Sequence, residues 1–168
     1  MVYLGYIPME VLLNMDINIA LGADSAAAAN SLDIFKEMRV AALIHKGHHA
    51  DPSIAPAERI LEMGTINGAR ALGLDQEIGS LEVGKKADVL ILDTDQPWFA
   101  PRHDIVSQLI YCADGKDVET VIASGKILME EREFLTADSD RIVQQANEMA
   151  ANVFKRQGIV VHQRYPIR

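Results

Sequence analysis

The stretch Ile17-Asn18-Ile19-Ala20-Leu21-Gly22-Ala23-Asp24-Ser25 decides how the rest of the chain is read. Its apolar and β-branched content, bounded by Asp16 and Gly22, predicts a short strand. A nearly unbroken apolar run suits a parallel strand buried on both faces. In barrels and open α/β sheets the chemistry sits at the carboxyl ends of such strands. Asp24 stands at that end, followed by the small side chains of Ala26 to Ala29, which leave space above it. An aspartate at this place also fits a helix N-cap or a turn. Position alone leaves both readings open.

The chain has 168 residues, enough for one domain or one with a small second piece. Hydrophobic residues make up 49% and charged residues 24%, a mix that buries a real core. The formal charge of -8 supplies no basic patch for phosphates, which argues against nucleic acid and anionic membranes as partners. The single cysteine, Cys112, excludes an intrachain disulfide and an all-cysteine zinc site, and fits a reducing cytoplasm. No apolar run approaches the ~20 residues a membrane span needs. The first residues lack the positive and then apolar regions of a signal peptide. They open directly on an apolar run, and few strand candidates precede the Asp24 stretch. The expectation is a chain that begins inside a larger fold.

Outward from that stretch, Pro8 suits the first turn of a short helix whose apolar face is Met9, Leu12 and Leu13. Downstream, Asn30 or Ser31 is expected to cap a helix with a stripe of Leu32, Phe35, Met38, Ala42 and Leu43, ended by Gly47. His45, His48, His49 and Asp51 follow as a cluster. Histidines at this spacing converge on a metal only if the helix continues. With Gly47 breaking it, a polar, solvated loop is expected. Pro56 opens another helix with Ile60, Leu61 and Met63 inside. Gly64 and Thr65 interrupt it, and Thr65 is expected to cap a short helix over 66–72, closed by Gly73.

From Ile78 the period changes. Gly79-Ser80 and Gly84-Lys85-Lys86 read as turns, the latter a solvated hairpin turn because a lone Gly-Lys lacks P-loop spacing. Strands are expected over 87–93, 118–123 and 127–129, the last two joined by Ser124-Gly125 as a hairpin. Pro97, Trp98, Phe99 and Pro101 mark an ordered loop. Trp98 and His103 are read as anchors of that loop in preference to a ligand pocket. Thr136 is expected to cap a long helix over 137–157. Its stripe of Ile142, Val143, Ala146, Met149, Ala150, Val153 and Phe154 predicts packing on a larger body, and Gly158 stops it. The tail 159–168 has no clear pattern.

Three segments together resemble the amidohydrolase superfamily, in its branch of cytosine, guanine and adenosine-type deaminases and triazine hydrolases. The first is Ala20-Leu21-Gly22-Ala23-Asp24, followed by Asn30-Ser31-Leu32-Asp33 and Glu37-Met38-Arg39. The second is Thr65-Ile66-Asn67-Gly68-Ala69-Arg70-Ala71-Leu72-Gly73-Leu74. The third is Ile78-Gly79-Ser80-Leu81-Glu82-Val83-Gly84-Lys85-Lys86-Ala87-Asp88. The likeness runs from about Pro8 to Gly158. Within the branch it is nearest to 5′-methylthioadenosine/S-adenosylhomocysteine deaminases and to chlorotriazine or ethylammeline hydrolases.

The resemblance implies a metal-dependent (β/α)8 barrel with a small β-sandwich built from both chain ends. It also implies a divalent metal, zinc or iron, held by a His-x-His pair on the first strand, two further histidines and an aspartate on the eighth strand. Asp24 matches that aspartate and would serve as metal ligand and as catalytic proton carrier. This chain has no His-x-His, and its five histidines do not match the ligand positions. The other ligands would belong to strands preceding Met1. Around Asp24 the family shows Gly-Thr-Asp-Gly and then Ser-Asn-Asn; Ala23, Ser25, Ala28 and Ala29 depart from it. Gly64 stands where alanine is usual.

The expected fold class is therefore α/β, the C-terminal portion of such a barrel plus part of the β-sandwich and a long C-terminal helix. The division is 1–77 for the barrel end, 78–134 for the sandwich and 135–168 for the helix and tail. The expected function is that of a fragment of a hydrolase acting on C–N or C–Cl bonds of a purine, pyrimidine or triazine-like ring, inactive alone. The alternative is a non-catalytic oligomeric or interaction domain. The expected partners are a small nucleobase- or triazine-like substrate and either a second copy or a missing N-terminal half.

Overall fold

The computed structural model describes residues 6–160. Its first half is helical. α1 (Met9–Asn14) leads into an extended segment over 17–25, and the single turn α2 (Ala26–Ala29) follows. α3 (Ile34–His49), α4 (Ala57–Gly64) and α5 (Ile66–Ala71) complete this part. The second half carries β1 (Val89–Leu92), α6 (Ile105–Tyr111), β2 (Val118–Ala123), β3 (Lys126–Glu130) and β4 (Glu133–Phe134). The long α7 (Ser139–Gln157) comes last. The four strands form one antiparallel sheet in the order β1-β2-β3-β4. The fold is α/β.

The core joins the two halves. Phe35, Met38 and Ala42 of α3 meet Ile60 and Met63 of α4 and Ile110 of α6, with Met9 of α1 and Val118 and Met129 of the sheet in the same cluster. α3 begins at Asp33, not at Asn30 or Ser31. Asp33 Oδ1 accepts the Phe35 N–H, while Asn30 ends α2 in the left-handed region. Leu32 and Leu43 lie outside the buried stripe, at 69% and 53% exposure. His45 takes the last buried place on that face.

Gly47 does not end α3. Glycine inside a helix costs only about 1 kcal/mol against alanine, and packing of the preceding turns outweighs it. The helix runs on to His49, and Ala50 in the left-handed region closes it. Lys46 Nζ donates to the carbonyls of Pro52, Ile54 and Ala55, which folds the next loop back under the helix end.

Two segments singled out in the sequence meet at Gly79. Its φ is +92°, and a Cβ there would stand 2.8 Å from Ala69 Cβ and 3.0 Å from Ile66 Cα. Only glycine allows this crossing of α5. Thr65 does not cap α5 with its side chain; its hydroxyl donates back to the Leu61 carbonyl at 2.7 Å. The hairpin of β2 and β3 forms as expected. Ser124 and Gly125 both have positive φ, the requirement of a tight two-residue turn whose twist matches the strands. The strand expected over 87–93 is shorter, Val89–Leu92.

α7 is capped by Asp138, whose Oδ1 accepts the Arg141 N–H, rather than by Thr136, and Gly158 ends it in the left-handed region. Its apolar stripe forms, but no residue of the helix is buried. Among the described residues nothing covers it.

Candidate active-site aspartate and the contacts that place it

Asp24 belongs to an extended segment that makes no strand ladder among the described residues. The doubly buried parallel strand is thus corrected. Ile19 and Leu21 are half-buried against the core, while Ile17 is 42% exposed. A strand is defined by the neighbours that satisfy its backbone groups, and here those groups are met by side chains and single bonds. Asn67 of α5, itself buried, donates through Nδ2 to the Ile19 carbonyl at 3.0 Å. Asn18 Nδ2 donates in return to the Asn67 carbonyl at 3.0 Å. Arg70 donates to Asn67 Oδ1 at 2.8 Å, which fixes the amide orientation. The Leu21 N–H donates to the Met63 carbonyl at 2.9 Å.

The carboxyl of Asp24 is exposed, and its Oδ1 accepts the Ser25 N–H at 2.6 Å. Ser25 is the N-cap residue of α2. Asp24 thus ends an extended run, and it is not the N-cap of α2. A cleft of about 270 Å3 has walls from Ala20, Leu21, Gly22, Val40, His45 and Met63, next to the run that leads to Asp24. A cleft of about 560 Å3 lies against Leu61, Thr65, Ile78, Leu81, Val89 and Ile122, and Asp24 is not among its walls.

The residues after Asp24 serve as struts. Asp33 Oδ2 accepts the Gly115 N–H at 3.0 Å, bridging α3 to the loop before β2. Arg39 donates to the Ala113 carbonyl at 2.6 Å and to the Ile110 carbonyl at 3.4 Å, capping the end of α6, and lies 3.6 Å from the Asp114 carboxylate.

The other candidates divide. His45 and His49 come together with Glu10 of α1, their ligand atoms all within 4.8 Å of one another. His48 instead stacks on Tyr6, the ring centroids 4.1 Å apart. Burial pushes the His45 imidazole below its ordinary value, with Glu10 opposing and His49 and His48 adding to the depression. Asp51 turns away to bind Ser53, whose hydroxyl and N–H hold its carboxyl below the usual range. Phe99 is the loop anchor, fully buried. Trp98 is 43% exposed, with Lys116 Nζ over its ring at 4.5 Å, so it is not a core residue. His103 borders a cavity of about 280 Å3 with Phe99, Arg102 and Gln108. Lys85 donates to Ser80 and pairs with Glu82, and Lys86 pairs with Glu77, which leaves the Gly84 turn neutralised. Sequence reasoning missed Glu10. Its only signal was its place in a predicted helix, since its partners lie far along the chain.

These features define an α/β protein with a solvent-facing carboxylate at the end of an extended run and helices crossing behind it. Residues 4–128 match the model of the amidohydrolase family, and the chain belongs to that family. It is 46% identical over 152 residues to a 5-methylthioadenosine/S-adenosylhomocysteine deaminase of Thermoanaerobacter pseudethanolicus, covering 90% of this chain and 35% of that protein. It is 41% identical to a 5′-deoxyadenosine deaminase of Methanosarcina acetivorans, with the same coverage. Among solved structures it is similar to a zinc-bound adenosine deaminase from Xanthomonas campestris, with a TM-score of 0.86, 36% identity, and coverage of 90% of this chain and 34% of that one. A zinc complex of an atrazine chlorohydrolase from Arthrobacter aurescens matches with a TM-score of 0.77 and 26% identity, over 84% of this chain and 32% of that one. The chain thus spans about a third of the length of the relatives it matches. Among the described residues no helix is long and apolar enough to cross a membrane.

Proposed function

We propose that this chain is the aspartate-bearing part of a metal-dependent amidohydrolase that deaminates an adenosine-like nucleoside, with the remaining metal ligands carried by polypeptide beyond this chain. The observation that carries this reading is Asp24, held at the end of an extended run by Asn67 and Met63, in a chain 46% identical to a methylthioadenosine/S-adenosylhomocysteine deaminase. In the reaction a water attacks the ring carbon that bears the exocyclic amine. Asp24 takes a proton from that water and passes it to the departing amine, which leaves as ammonia, while the ring keeps the oxygen.

The divalent ion of such enzymes, zinc or iron, lowers the pKa of a bound water. The donors around Asp24 do not fit it. Asp24 is one exposed carboxylate, it joins no cluster of ligands among the described residues, and a catalytic zinc takes three protein ligands. The chain alone is accordingly inactive. In this reading residues 1–77 end a (β/α)8 barrel, 78–134 belong to a small β-sandwich, and 135–168 form a terminal helix and tail.

Two assays test it. The isolated chain with zinc shows no turnover of adenosine, guanine, cytosine or triazine substrates; turnover abolished by Asp24→Asn would overturn the claim of inactivity. A chimaera in which residues 8–158 replace the matching segment of the Thermoanaerobacter relative deaminates 5′-methylthioadenosine. Asp24→Asn in that chimaera lowers the rate by about 10³-fold, the scale of a lost proton carrier. A folded, inactive chimaera, or an active one indifferent to Asp24→Asn, sinks the reading.

A second reading, a non-catalytic interaction domain, is favoured by the uncovered stripe of α7. It requires self-association or a partner chain. A well-folded monomer in size-exclusion chromatography with light scattering counts against it.

A further inference from the structure

Glu10, His45 and His49 are brought together by two helices that flank the Asp24 segment in sequence. His45 and His49 are one turn apart on α3, which is possible only because Gly47 stays helical. Glu10 comes from the first turn of α1. Its Oε2 is 3.3 Å from His49 Nε2 and 3.9 Å from His45 Nδ1. His45 is 7% exposed. Both carboxyl oxygens of Glu10 and the Nδ1 of His45 are buried, and none has a hydrogen-bond partner among the described residues. Groups of this kind cost free energy when buried without a partner. Glu10 Oε2 and His45 Nδ1, 3.9 Å apart with His49 Nε2 beside them, call for a common occupant.

A neutral imidazole with a free lone pair is the state that ligates metals. We propose that Glu10, His45 and His49 bind a divalent transition-metal ion that clamps α1 to the C-terminal turn of α3. Two imidazole nitrogens and one carboxylate oxygen suit zinc and its neighbours; calcium and magnesium prefer oxygen ligands throughout. Zinc–nitrogen and zinc–oxygen bonds of about 2.0–2.2 Å place donors roughly 3.4 Å apart in a tetrahedron. The two separations from Glu10, 3.3 and 3.9 Å, already bracket that spacing. The negative end of α3 also favours a cation.

Tyr6 completes the surroundings. Its hydroxyl lies 2.6 Å from His49 Nε2, a hydrogen bond the ion would replace on taking that nitrogen. Its ring covers His48. His48 lies outside the cluster of ligand atoms. The clamp stands or falls independently of any role for Asp24.

The test is calorimetric titration of the full chain, stripped by chelator, with zinc chloride, beside thermal melts with and without zinc. One ion binds per chain and raises the melting temperature. Glu10→Gln and His49→Ala each weaken binding by at least about tenfold, as loss of one of three protein ligands requires. Both remove the melting shift. His48→Ala and Asp24→Asn leave affinity within about twofold, since neither residue is a ligand in the clamp. His49 is exposed enough for His49→Ala to fold, and Glu10→Gln keeps shape while adding donors for the buried imidazole. Neither variant's result then hangs on misfolding, which circular dichroism checks. Absence of zinc binding by the parent chain overturns the proposal. So does an equal zinc response in the parent, Glu10→Gln and His49→Ala, or loss of binding with His48→Ala.

Discussion

α3 and α7 are amphipathic helices of similar length with opposite fates. α3 is pinned at several points: Phe35, Met38 and Ala42 enter the core, Asp33 reaches Gly115, Arg39 caps α6, and Lys46 gathers the following loop. α7 has the cleaner apolar stripe and buries none of it; Met149 is 68% and Val143 60% exposed. Periodicity names the apolar face of a helix, but only tertiary partners decide whether that face stabilises the chain. Exposed stripes of this kind mark surfaces that another body covers.

Four measurements break or sharpen this contrast. The largest effect is expected in the seam between α3 and α4. Ile60 is fully buried beside Met38, and Ile60→Ala lowers unfolding free energy by about 2–5 kcal/mol in urea titration. A loss under about 1 kcal/mol would mean, on the usual cost of emptied cores, that α3 is no better packed than α7. Gly79→Ala comes next. The new methyl meets Ala69 and Ile66 with φ at +92°, and the cost is about 1–3 kcal/mol. Arg39→Ala leaves the Ala113 and Ile110 carbonyls without their donor, for about 1–3 kcal/mol.

The smallest effect on stability belongs to α7. Ile142→Ser with Phe154→Ser changes unfolding free energy by no more than about 0.5 kcal/mol. It shifts the chain toward monomer in light scattering if a second copy covers the stripe.

The buried end of α3 adds a dependence on pH. The His45 imidazole, facing Glu10 and Tyr6 across from α3 and His48 and His49 along it, is held below its ordinary value of 6.5 by burial. The unfolded chain then binds the proton more readily than the folded one. In chelator-treated protein, stability is constant above the unfolded value and falls as pH drops through it toward the lower folded value. His45→Gln flattens that slope; an unchanged slope assigns the titration elsewhere.

Much of the fold was legible because it rests on local chemistry. Ser124-Gly125 between two apolar runs specifies a hairpin, and Pro56 with Ile60 and Met63 specifies α4 and its inner face. Asp24 was singled out by resemblance. Its strand was not legible, because a ladder depends on neighbours that the sequence window does not contain. Gly47 misled because a weak local penalty was weighed without the packing of the turns before it. Glu10 escaped notice because its pairing with His45 and His49 exists only after α1 and α3 meet. In each case the missing information was non-local.

Asn67 grips the run before Asp24 at the Ile19 carbonyl and through the Asn18 side chain, and asks nothing of the side chains nearer the acid. Course and lining are thereby uncoupled. A library randomised at Ala23 and Ser25 would vary the neighbours of the carboxylate while its rail stays put, which makes this short stretch, under the proposed function, the place to retune selectivity.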